Sequence, residues 1–372
     1  MIAKFRNRAR FLCLTAAGFL AVSGVFAQQN PKVVGKLSDI GSNLNDFAVH
    51  NGGRLNITAD MGSNWSDIYI GELIHFPPHY GFGFSLAMNG IKAVHLNNLL
   101  DDTLGISKMT PIFADKQFFP TYLVEMRIGG FRGAPFDVGI KAGFLPAIPI
   151  PPVFSDFKYF NMQFGGDFRW CLINSIWSGF RLSLGLAANY LDGYIDYEGY
   201  RTQWSDVGQG GSAAWTLDPA GSTMRIGWNT ISFNLRLMFQ KTFRGSGITL
   251  FGSVMAGYGI TNTKIGFIGD AIEAGGSGSI SRIMDMNGAE MKQVENSLKS
   301  FVGNNSTWII GNTDGKFSVM GTIPYGAIDL HSYEGIAFDF DNDWHVQLAL
   351  VFDLWSLEYG LSMGFRWQKR HF

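Results

Sequence analysis

The fold is decided by the alternating stretch Leu357-Glu358-Tyr359-Gly360-Leu361-Ser362-Met363-Gly364-Phe365-Arg366-Trp367, near the end of the sequence. Its odd-numbered positions are apolar and its even-numbered positions are small or charged, which is the period of two that a β-strand produces. A strand of this length, tilted by about 45°, rises about 26 Å, close to the height of the apolar band of an outer-membrane barrel. The stretch therefore predicts a wall strand of a closed transmembrane β-barrel.

The other end of the sequence predicts export from the cytoplasm. Residues 1–27 combine basic residues, an apolar run and a final Val25-Phe26-Ala27, which together indicate a secretory signal peptide. Only Cys171 follows that segment, so no disulfide is expected within the exported chain. The net charge of -1 gives no indication of nucleic-acid binding. We expect Sec-dependent export and a location in the cell outer membrane.

The alternating pattern recurs along the sequence and predicts about fourteen strands, with twelve as the alternative count. Many segments are longer than the usual soluble strand and suit a tilted membrane strand, although a soluble β-protein would also alternate. The fold class is therefore all-β, a closed antiparallel transmembrane barrel over residues 53–372. The predicted strands are 53–61, 66–74, 79–89, 118–128, 136–145, 159–172, 179–190, 226–240, 247–259, 304–310, 317–329, 332–340, 344–354 and 357–367.

The connections between these strands fall into two classes, short links and long loops. The long loops are 90–117, 191–225 and 260–303. With both chain ends placed in the periplasm, all the short links fall on one side of the membrane and the long loops on the other. We therefore expect the three long loops to lie on the outer side.

Two helical patterns accompany the strands. The first lies in 28–52, where apolar residues recur at helical spacing before Asn51-Gly52-Gly53, and it predicts a periplasmic or lumenal plug. The second follows Asn287, which forms a capping box with Glu290, and packing against the barrel is its simplest role. The candidate plug residues are Val34, Leu37, Ile40, Leu44 and Phe47.

The wall face opposite the lipid carries charged residues mixed with glycine. Such residues are expected to line the lumen, where they face either a plug or an aqueous pore. The candidate lumen residues are Asp137, Lys141, Asp167, Arg169, Arg181, Arg236, Glu358 and Arg366.

Three patterns that could indicate catalysis or metal binding have simpler interpretations. Gly360-Leu361-Ser362-Met363-Gly364 matches the string of serine hydrolases, but it lies inside a strand rather than at a strand-to-helix turn. Prolines between His75 and His79 prevent these two from sharing a helical face for metal binding. The acidic run 339–343 lacks the glycine and the distal glutamate of a calcium loop. We expect no enzyme activity, no metal and no cofactor.

The layout as a whole resembles the FadL-type long-chain fatty-acid transporters of outer membranes. The shared features are a signal peptide, a helical segment before the first strand, about fourteen strands and helix-bearing outer loops. The resemblance implies that 28–52 acts as a hatch and that loops 90–117 and 191–225 capture hydrophobic ligands. The hatch segment is short, and Lys32 follows the Asn30-Pro31 pair where the family has alanine, so no ligand-binding residue is carried over.

The sequence therefore predicts an outer-membrane barrel for the passive uptake of small hydrophobic molecules. The expected partners are outer-membrane lipid, a hydrophobic small-molecule ligand and the barrel-assembly machinery, which would bind the C-terminal strand. A general diffusion porin and a surface-exposed structural or adhesion barrel are the alternatives.

Overall fold

The chain builds a closed barrel, a plug inside it and a cap over one end. The computed structural model describes residues 34–62, 65–70, 79–92, 116–129, 135–150, 154–175, 177–198, 203–208, 212–219, 221–243, 245–276, 279–303, 305–340, 343–355 and 358–368. Residues 1–27, predicted as a signal peptide, and most of the predicted loop 90–117 lie outside this set. Neither helix among the described residues is both long and apolar enough to cross a membrane.

The predicted closed antiparallel barrel is confirmed, with ten strands in its wall. The wall strands are β2 (His79–Lys92), β3 (Lys116–Gly129), β4 (Phe136–Ile150), β5 (Phe154–Ser175), β6 (Phe180–Tyr197), β9 (Thr223–Phe243), β10 (Ile248–Ile268), β14 (Lys316–Asp339), β15 (Trp344–Asp353) and β16 (Glu358–Gln368). The first and last of them pair from Asn89 opposite Gly360 to Gly81 opposite Gln368. A long ladder between β10 and β14 completes the ring.

Side chains alternate along the wall strands between an apolar outer face and a mostly polar inner face. On β9 the outward Phe233 is 57% exposed, whereas the inward Arg236 is 0% exposed. The apolar belt on the outer face spans 231–239 on β9 and 250–260 on β10. These lengths match the ~9–11 residues that a tilted membrane strand needs.

The two ends of the barrel differ in their connections. At one end, called the turn end, only four residues separate β5 from β6, β9 from β10 and β14 from β15, and β16 finishes there. The other end, called the loop end, carries the long connections from β6 to β9 and from β10 to β14. Strands extend into the predicted loops 191–225 and 260–303, since β6 continues to Tyr197 and β10 to Ile268.

A small second sheet and a helix cover the loop end, and we call them the cap. The cap sheet consists of β1 (Val34–Gly35), β7 (Gln203–Gly208), β8 (Ser212–Asp218), β11 (Glu273–Gly276) and β12 (Ser279–Arg282), in that order. The loop helix (Gly288–Val302) begins with the predicted capping box: Asn287 Oδ1 accepts from Glu290 N at 3.0 Å, and Glu290 Oε2 accepts from Asn287 N at 2.8 Å. β13 (Thr307–Thr313) pairs with β14 outside the ring.

Glu295 joins the loop helix to β13. Its carboxylate accepts a hydrogen bond from Ile310 N at 2.9 Å and another from Lys292 Nζ at 2.7 Å. Burial acts to raise the pKa of Glu295, but the two hydrogen bonds and the charge of Lys292 together outweigh it and lower the pKa below its usual value. The ionised carboxylate of Glu295 therefore attaches the loop helix to the sheet.

The chain between the cap and the first wall strand runs lengthwise through the lumen, and we call its described residues, 37–62 and 65–70, the plug. The plug helix (Leu37–Asp60) begins beside the cap sheet, where Val34 and Gly35 pair with β7. Gly62, with a φ of 93° that glycine adopts without strain, follows the helix. An irregular segment, 65–70, with bends at 66–68, continues toward the turn end. The plug therefore enters the barrel from the loop end.

The structure corrects the predicted boundary between plug and barrel, which was placed between residues 52 and 53. Residues 53–60, predicted as part of the first strand 53–61, belong to the plug helix. The pair Gly52-Gly53 does not end the helix, because the surrounding lumen stabilises it. A Cβ atom at Gly52 would meet the ring of Tyr325 at 2.6 Å, so the missing side chain allows close packing there.

The predicted count of fourteen strands and the alternative of twelve are both wrong, for three further reasons. The predicted strand 66–74 includes plug residues 66–70, which bend at 66–68 and have no strand partner among the described residues. The predicted strands 317–329 and 332–340 form one continuous strand, β14. The predicted strand 304–310 corresponds to β13, which lies outside the ring.

Candidate functional site

The upper lumen, the part nearer the loop end, is packed with apolar side chains. The plug helix contributes Leu37, Ile40, Leu44 and Phe47, all with 0% exposure. The ring of Phe47 lies 6.4 Å from that of Trp228 on β9. Burial of this apolar surface holds the first half of the plug helix against the wall and the cap. The wall and cap contribute Leu191, Ile195, Trp204, Trp215, Leu217, Met224, Ile226, Ile265, Phe267, Ile272, Ile283, Val294, Leu298, Val302, Trp308, Val319 and Ile323.

The opposite face of the plug helix is polar and exposed. Ser42, Asn45, Asp46 and His50 lie on this face at helical spacing, and all four are exposed. An apolar stripe on one side and a polar stripe on the other is the pattern of an amphipathic helix. The helix thus covers the apolar wall of the upper lumen and presents its polar side to solvent.

Asp60, the last residue of the plug helix, is the centre of the lower lumen, the part nearer the turn end. Its Oδ1 atom accepts hydrogen bonds from Asn189 Nδ2 and Asn234 Nδ2, both at 3.0 Å. Arg236 forms an ion pair with the same oxygen, and His331 Nε2 lies 3.4 Å from Oδ2. These partners belong to β6, β9 and β14. Three wall strands therefore fix one buried carboxylate.

Wall side chains also hold the carbonyl groups at the end of the plug helix. Lys141 Nζ donates to Ala59 O and Met61 O, both at 2.7 Å. Gln163 Nε2 donates to Ala59 O at 2.5 Å. The last carbonyls of a helix have no partner within the helix, and a cation near them is favoured by the helix dipole. Lys141 and Gln163 therefore act as a C-cap supplied by the wall.

The irregular segment 65–70 is bonded by wall side chains instead of a neighbouring strand. Its alternate backbone N–H groups donate to side-chain oxygens of β15, β9 and β4. These bonds are Ser66 N to Gln347 Oε1 at 2.9 Å, Ile68 N to Gln240 Oε1 at 3.1 Å and Ile70 N to Asp137 Oδ2 at 3.0 Å. Arg169 Nη1 donates to the carbonyl of Asp67 at 3.0 Å. The backbone polar groups are thus satisfied without a sheet, as burial requires.

Buried ion pairs join the wall strands to one another around the plug. Arg127 on β3 pairs with Asp137 at 2.5 Å and with Asp167 at 2.6 Å, and Arg169 pairs with Asp137 at 2.7 Å. All four side chains are buried. Removing one partner of such a pair leaves an uncompensated buried charge, which is strongly destabilising. The lower lumen therefore depends on the whole network.

Trp65 connects the plug to a second ion pair. Its Nε1 donates to Glu125 Oε2 at 2.5 Å, and Glu125 also pairs with Arg366 on β16 at 3.1 Å. The guanidinium carbon of Arg366 lies 4.6 Å from the centroid of the Trp65 ring, within the range of a cation–π interaction. The plug is thereby attached to the last wall strand as well.

These contacts fill the lower lumen of the described barrel with protein side chains. Lumen-facing residues such as Arg236, Gln163 and Ser362 are at most 1% exposed. A water-filled channel would leave such side chains accessible to solvent, as in porins. The described residues also contain no group of three side chains that could hold a metal ion. The plug residues thus occupy the lower lumen of their own barrel.

The structure places most of the predicted site residues inside the barrel. Among the predicted plug residues, Val34 belongs to the cap sheet, and those on the plug helix are Leu37, Ile40, Leu44 and Phe47. Among the predicted lumen residues, Arg181 is partly exposed near the turn end, and the side chain of Glu358 lies outside the described set. Those buried in the lumen are Asp137, Lys141, Asp167, Arg169, Arg236 and Arg366.

Sequence reasoning missed several residues that hold the plug. Glu125 and Arg127 alternate with apolar residues in the predicted strand 118–128, so the period of two could have identified them as lumen-facing. Asp60 carries no such signal, because its position depends on the helix continuing past Gly53. Gln163 and His331 are also buried in the lumen.

Comparisons with known proteins show similar folds at low similarity. No protein-family model matches this chain, and no curated protein matches it. The outer membrane protease OmpT from Escherichia coli has 8% identity and a TM-score of 0.34, covering 82% of this chain and 97% of OmpT. The translocator domain of the autotransporter NalP from Neisseria meningitidis has 9% identity and a TM-score of 0.32, covering 90% of this chain and 99% of that domain.

The toluene transporter TodX from P. putida is also similar, with 9% identity and a TM-score of 0.27, covering 83% of this chain and 94% of TodX. Similarities at these levels carry no argument about family, substrate or mechanism. The resemblance to FadL-type transporters therefore stays a prediction, and the barrel fold rests on the strand pairing described above.

Proposed function

We propose that this protein is an outer-membrane β-barrel for the passive passage of small hydrophobic molecules, closed to water and ions by its plug. A ring of strands with no unpaired edge and an outward apolar belt is what the lipid interior requires. In this proposal the loop end faces the exterior and the turn end faces the periplasm. The observation that carries the choice of cargo is the apolar upper lumen.

The apolar upper lumen supports a hydrophobic cargo rather than an ionic one. A hydrophobic molecule would bury against the same wall surface that Leu44 and Phe47 now cover, including Trp228. A hydrated ion would lose its water there without gaining a polar partner, which is costly. Passage therefore requires the plug helix to move away from this surface.

A disulfide between the plug helix and the wall tests that requirement. A Cβ atom at Gly52 would lie 3.7 Å from Ala327 Cβ on β14, within the range of disulfide-bonded cysteines. Because the ring of Tyr325 would contact the new side chain, Tyr325→Ala is added to make room. The locked variant is thus Gly52→Cys/Ala327→Cys/Tyr325→Ala in a Cys171→Ser background.

The measurement is the entry rate of a fluorescent long-chain fatty acid into intact cells that express the variant. We expect entry to be fast when the disulfide is reduced and to fall to the rate of cells without the protein when it is oxidised. The matched control, Tyr325→Ala/Cys171→Ser, should pass the molecule under both conditions. Equal entry in the oxidised and reduced states would contradict movement of the plug. Planar-bilayer recordings of the wild-type protein should show no stable ion current.

A surface structural or adhesion role is the second candidate. It is favoured by the fixed position of residues 59–62 and 65–70, which are bonded by side chains from most of the wall. Unchanged fatty-acid entry with and without the protein, together with a protease-accessible cap on intact cells, would favour this role. A general diffusion porin is not proposed, because Lys141, Arg169, Arg236 and Arg366 are buried against the plug or in ion pairs, and Arg181 alone among the predicted basic lumen residues is partly exposed.

A further inference from the structure

A groove crosses the outer face of the wall from β9 to β2. Its volume is about 820 Å³, within the ~300–1,000 Å³ of sites that hold small molecules. The outward side chains at its rim are large and apolar, and they include Phe164, Ile231 and Phe233. All three belong to the apolar belt of the barrel. The groove therefore faces the membrane lipid and not the lumen.

The groove exists because small residues interrupt the large side chains of the belt. Ala142 on β4 and Ala188 on β6 face outward and are exposed, and Gly166 on β5 lies directly opposite Ala188. Beyond its chain neighbours, a Cβ atom at Gly166 would meet only the carbonyl oxygen of Gly139, at 3.5 Å. No described side chain covers this position. A depression floored by backbone and methyl groups therefore remains between the side chains of the rim.

The groove slopes through the membrane, because it follows a row of directly opposed residues. The row that starts at Ile260 on β10 continues through Ile231, Tyr190, Phe164, Ala142, Val124, Phe84, Phe365, Val346 and Phe338. Phe338 lies twelve residues closer to the turn end of β14 than Gly326, which is directly opposite Ile260. The row therefore descends toward the turn end from β9 to β3. With strands about 4.8 Å apart and tilted by about 45°, these four steps descend about 14 Å.

Polar residues border the upper end of the groove, where the belt ends. On β6 Asp192 follows Tyr190 on the outer face, and directly opposite Asp192 is Asn229 on β9. Asn262 Nδ2 donates to Asn229 Oδ1 at 2.8 Å. Lys264 Nζ lies 3.8 Å from Asp192 Oδ1, too far for a hydrogen bond. Both charged side chains are partly exposed, so a carboxylate and an ammonium group are available to a ligand beside the groove.

We propose that the groove binds a membrane phospholipid whose head group carries both a phosphate and a primary ammonium. One acyl chain lies in the groove, where it contacts wall atoms on several sides and gains more dispersion energy than on the convex wall. Lys264 donates to the phosphate, and the ammonium of the lipid donates to Asp192. A head group without the ammonium leaves Asp192 beside an unbalanced negative charge. This inference rests on the membrane location proposed above, but not on passage of a cargo through the lumen.

Native mass spectrometry of the purified barrel in mild detergent tests the site. The protein is incubated with equal amounts of phosphatidylethanolamine, which has the ammonium, and phosphatidylglycerol, which lacks it. We expect phosphatidylethanolamine to remain bound to the wild-type barrel. Ala188→Phe fills the groove and should lower the affinity for this lipid about tenfold. Ala256→Phe is the matched control, because Ala256 is an exposed outward alanine of β10 outside the groove, and it should keep the lipid.

Further substitutions separate the head group from the acyl chain. Asp192→Lys should reverse the preference and favour phosphatidylglycerol, whereas Lys264→Ala should weaken binding of both lipids. Heat-modifiable migration shows whether each variant forms an intact barrel. If Ala188→Phe does not, Ala142→Phe fills the groove from β4 and should give the same loss of lipid. Fatty-acid entry into cells should be unchanged in the groove variants, because the lumen is unaltered.

Four results would overturn the proposal. They are a wild-type barrel that retains no phospholipid, equal retention by Ala188→Phe and Ala256→Phe, equal preference of wild type and Asp192→Lys, and displacement of the lipid by an equimolar fatty acid. The last result would assign the groove to the cargo. Absence of the wild-type protein from the membrane fraction would overturn the membrane location, and this site with it. A barrel that binds the phospholipid but passes no fatty acid would support the site and contradict only the proposed passage.

Discussion

In the upper lumen the plug helix is held by apolar side chains such as Leu44 and Phe47, whereas in the lower lumen residues 59–62 and 65–70 are held by hydrogen bonds and ion pairs. Apolar contacts depend on area and tolerate small displacements of the helix. Hydrogen bonds depend on distance and angle and do not. The lower lumen therefore determines the position of the plug, and the upper lumen fills the remaining space.

The largest effect is expected from Asp60→Ala, which removes the centre of the lower lumen. Arg236 and His331 would lose a buried partner, and breaking one side of such a pair costs about 3–5 kcal/mol. We expect a lower unfolding midpoint, measured by heat-modifiable migration in gels, and an ion current in planar bilayers. Asp46→Ala, on the exposed face of the same helix, is the control and should change stability by less than about 0.5 kcal/mol. An Asp60→Ala barrel that carries no ion current and keeps the wild-type unfolding midpoint would contradict the role given to the lower lumen.

A smaller effect is expected from Leu44→Ala in the upper lumen. The substitution leaves a cavity beside the wall, and such changes cost about 2–3 kcal/mol where the surroundings relax in part. The lower network is unchanged, so the barrel should unfold at a lower temperature and still carry no ion current. Asn45→Ala, at the exposed neighbouring position, is the control. An ion current through Leu44→Ala would show that the upper lumen also seals the barrel.

The two adjacent glycines of the plug helix should respond with opposite signs. At Gly52 a Cβ atom would lie 2.6 Å from the Tyr325 ring, whereas at Gly53 it would meet nothing within 4 Å. We expect Gly52→Ala to cost about 1–3 kcal/mol through overpacking. Gly53→Ala should stabilise the helix by about 0.5–1 kcal/mol. Shifts of the same sign in the unfolding midpoint would contradict the orientation of the helix in the lumen.

The smallest effect is expected from substitutions that report which end of the barrel faces the cell exterior, and they should leave its stability unchanged. Lys36 is exposed beside the cap, and Ser178 is exposed in a turn at the other end. In a Cys171→Ser background, a membrane-impermeant maleimide should label Lys36→Cys on intact cells and Ser178→Cys only after the outer membrane is opened. The reverse pattern would show that the upper lumen faces the periplasm.

The wall could be predicted from the sequence because lipid imposes a strict period of two on its outer face. Phe82, Phe84 and the residues of 231–239 alternate without interruption, and the predicted strands there match β2 and β9 closely. The charged lumen residues Lys141, Arg169 and Arg236 followed from the same alternation. The partners of these residues could not be predicted in this way. The alternation shows on which side of the wall a residue lies, but it does not show which residue lies opposite.

The plug was harder to predict, because its conformation depends on contacts with the lumen wall more than on its local sequence. Gly52-Gly53 normally ends a helix in water, but here the lumen surrounds the helix on most sides. Residues 66–70 were predicted as part of a strand, but the chain bends at 66–68, and side chains such as Gln240 and Gln347 bond its backbone instead of a partner strand. The strand count was therefore overestimated at the elements that lie inside the barrel.

The pairing of Val34 and Gly35 with the cap, at the opposite end from the finish of β16, has a consequence for biogenesis. The plug comes before all ten wall strands, and the ring closes along a single seam between β2 and β16. Until that seam pairs, the wall is an open sheet that can curl around the plug from the side. The chain then does not need to thread through a finished ring. The plug can serve as a template around which the strands at the last seam pair.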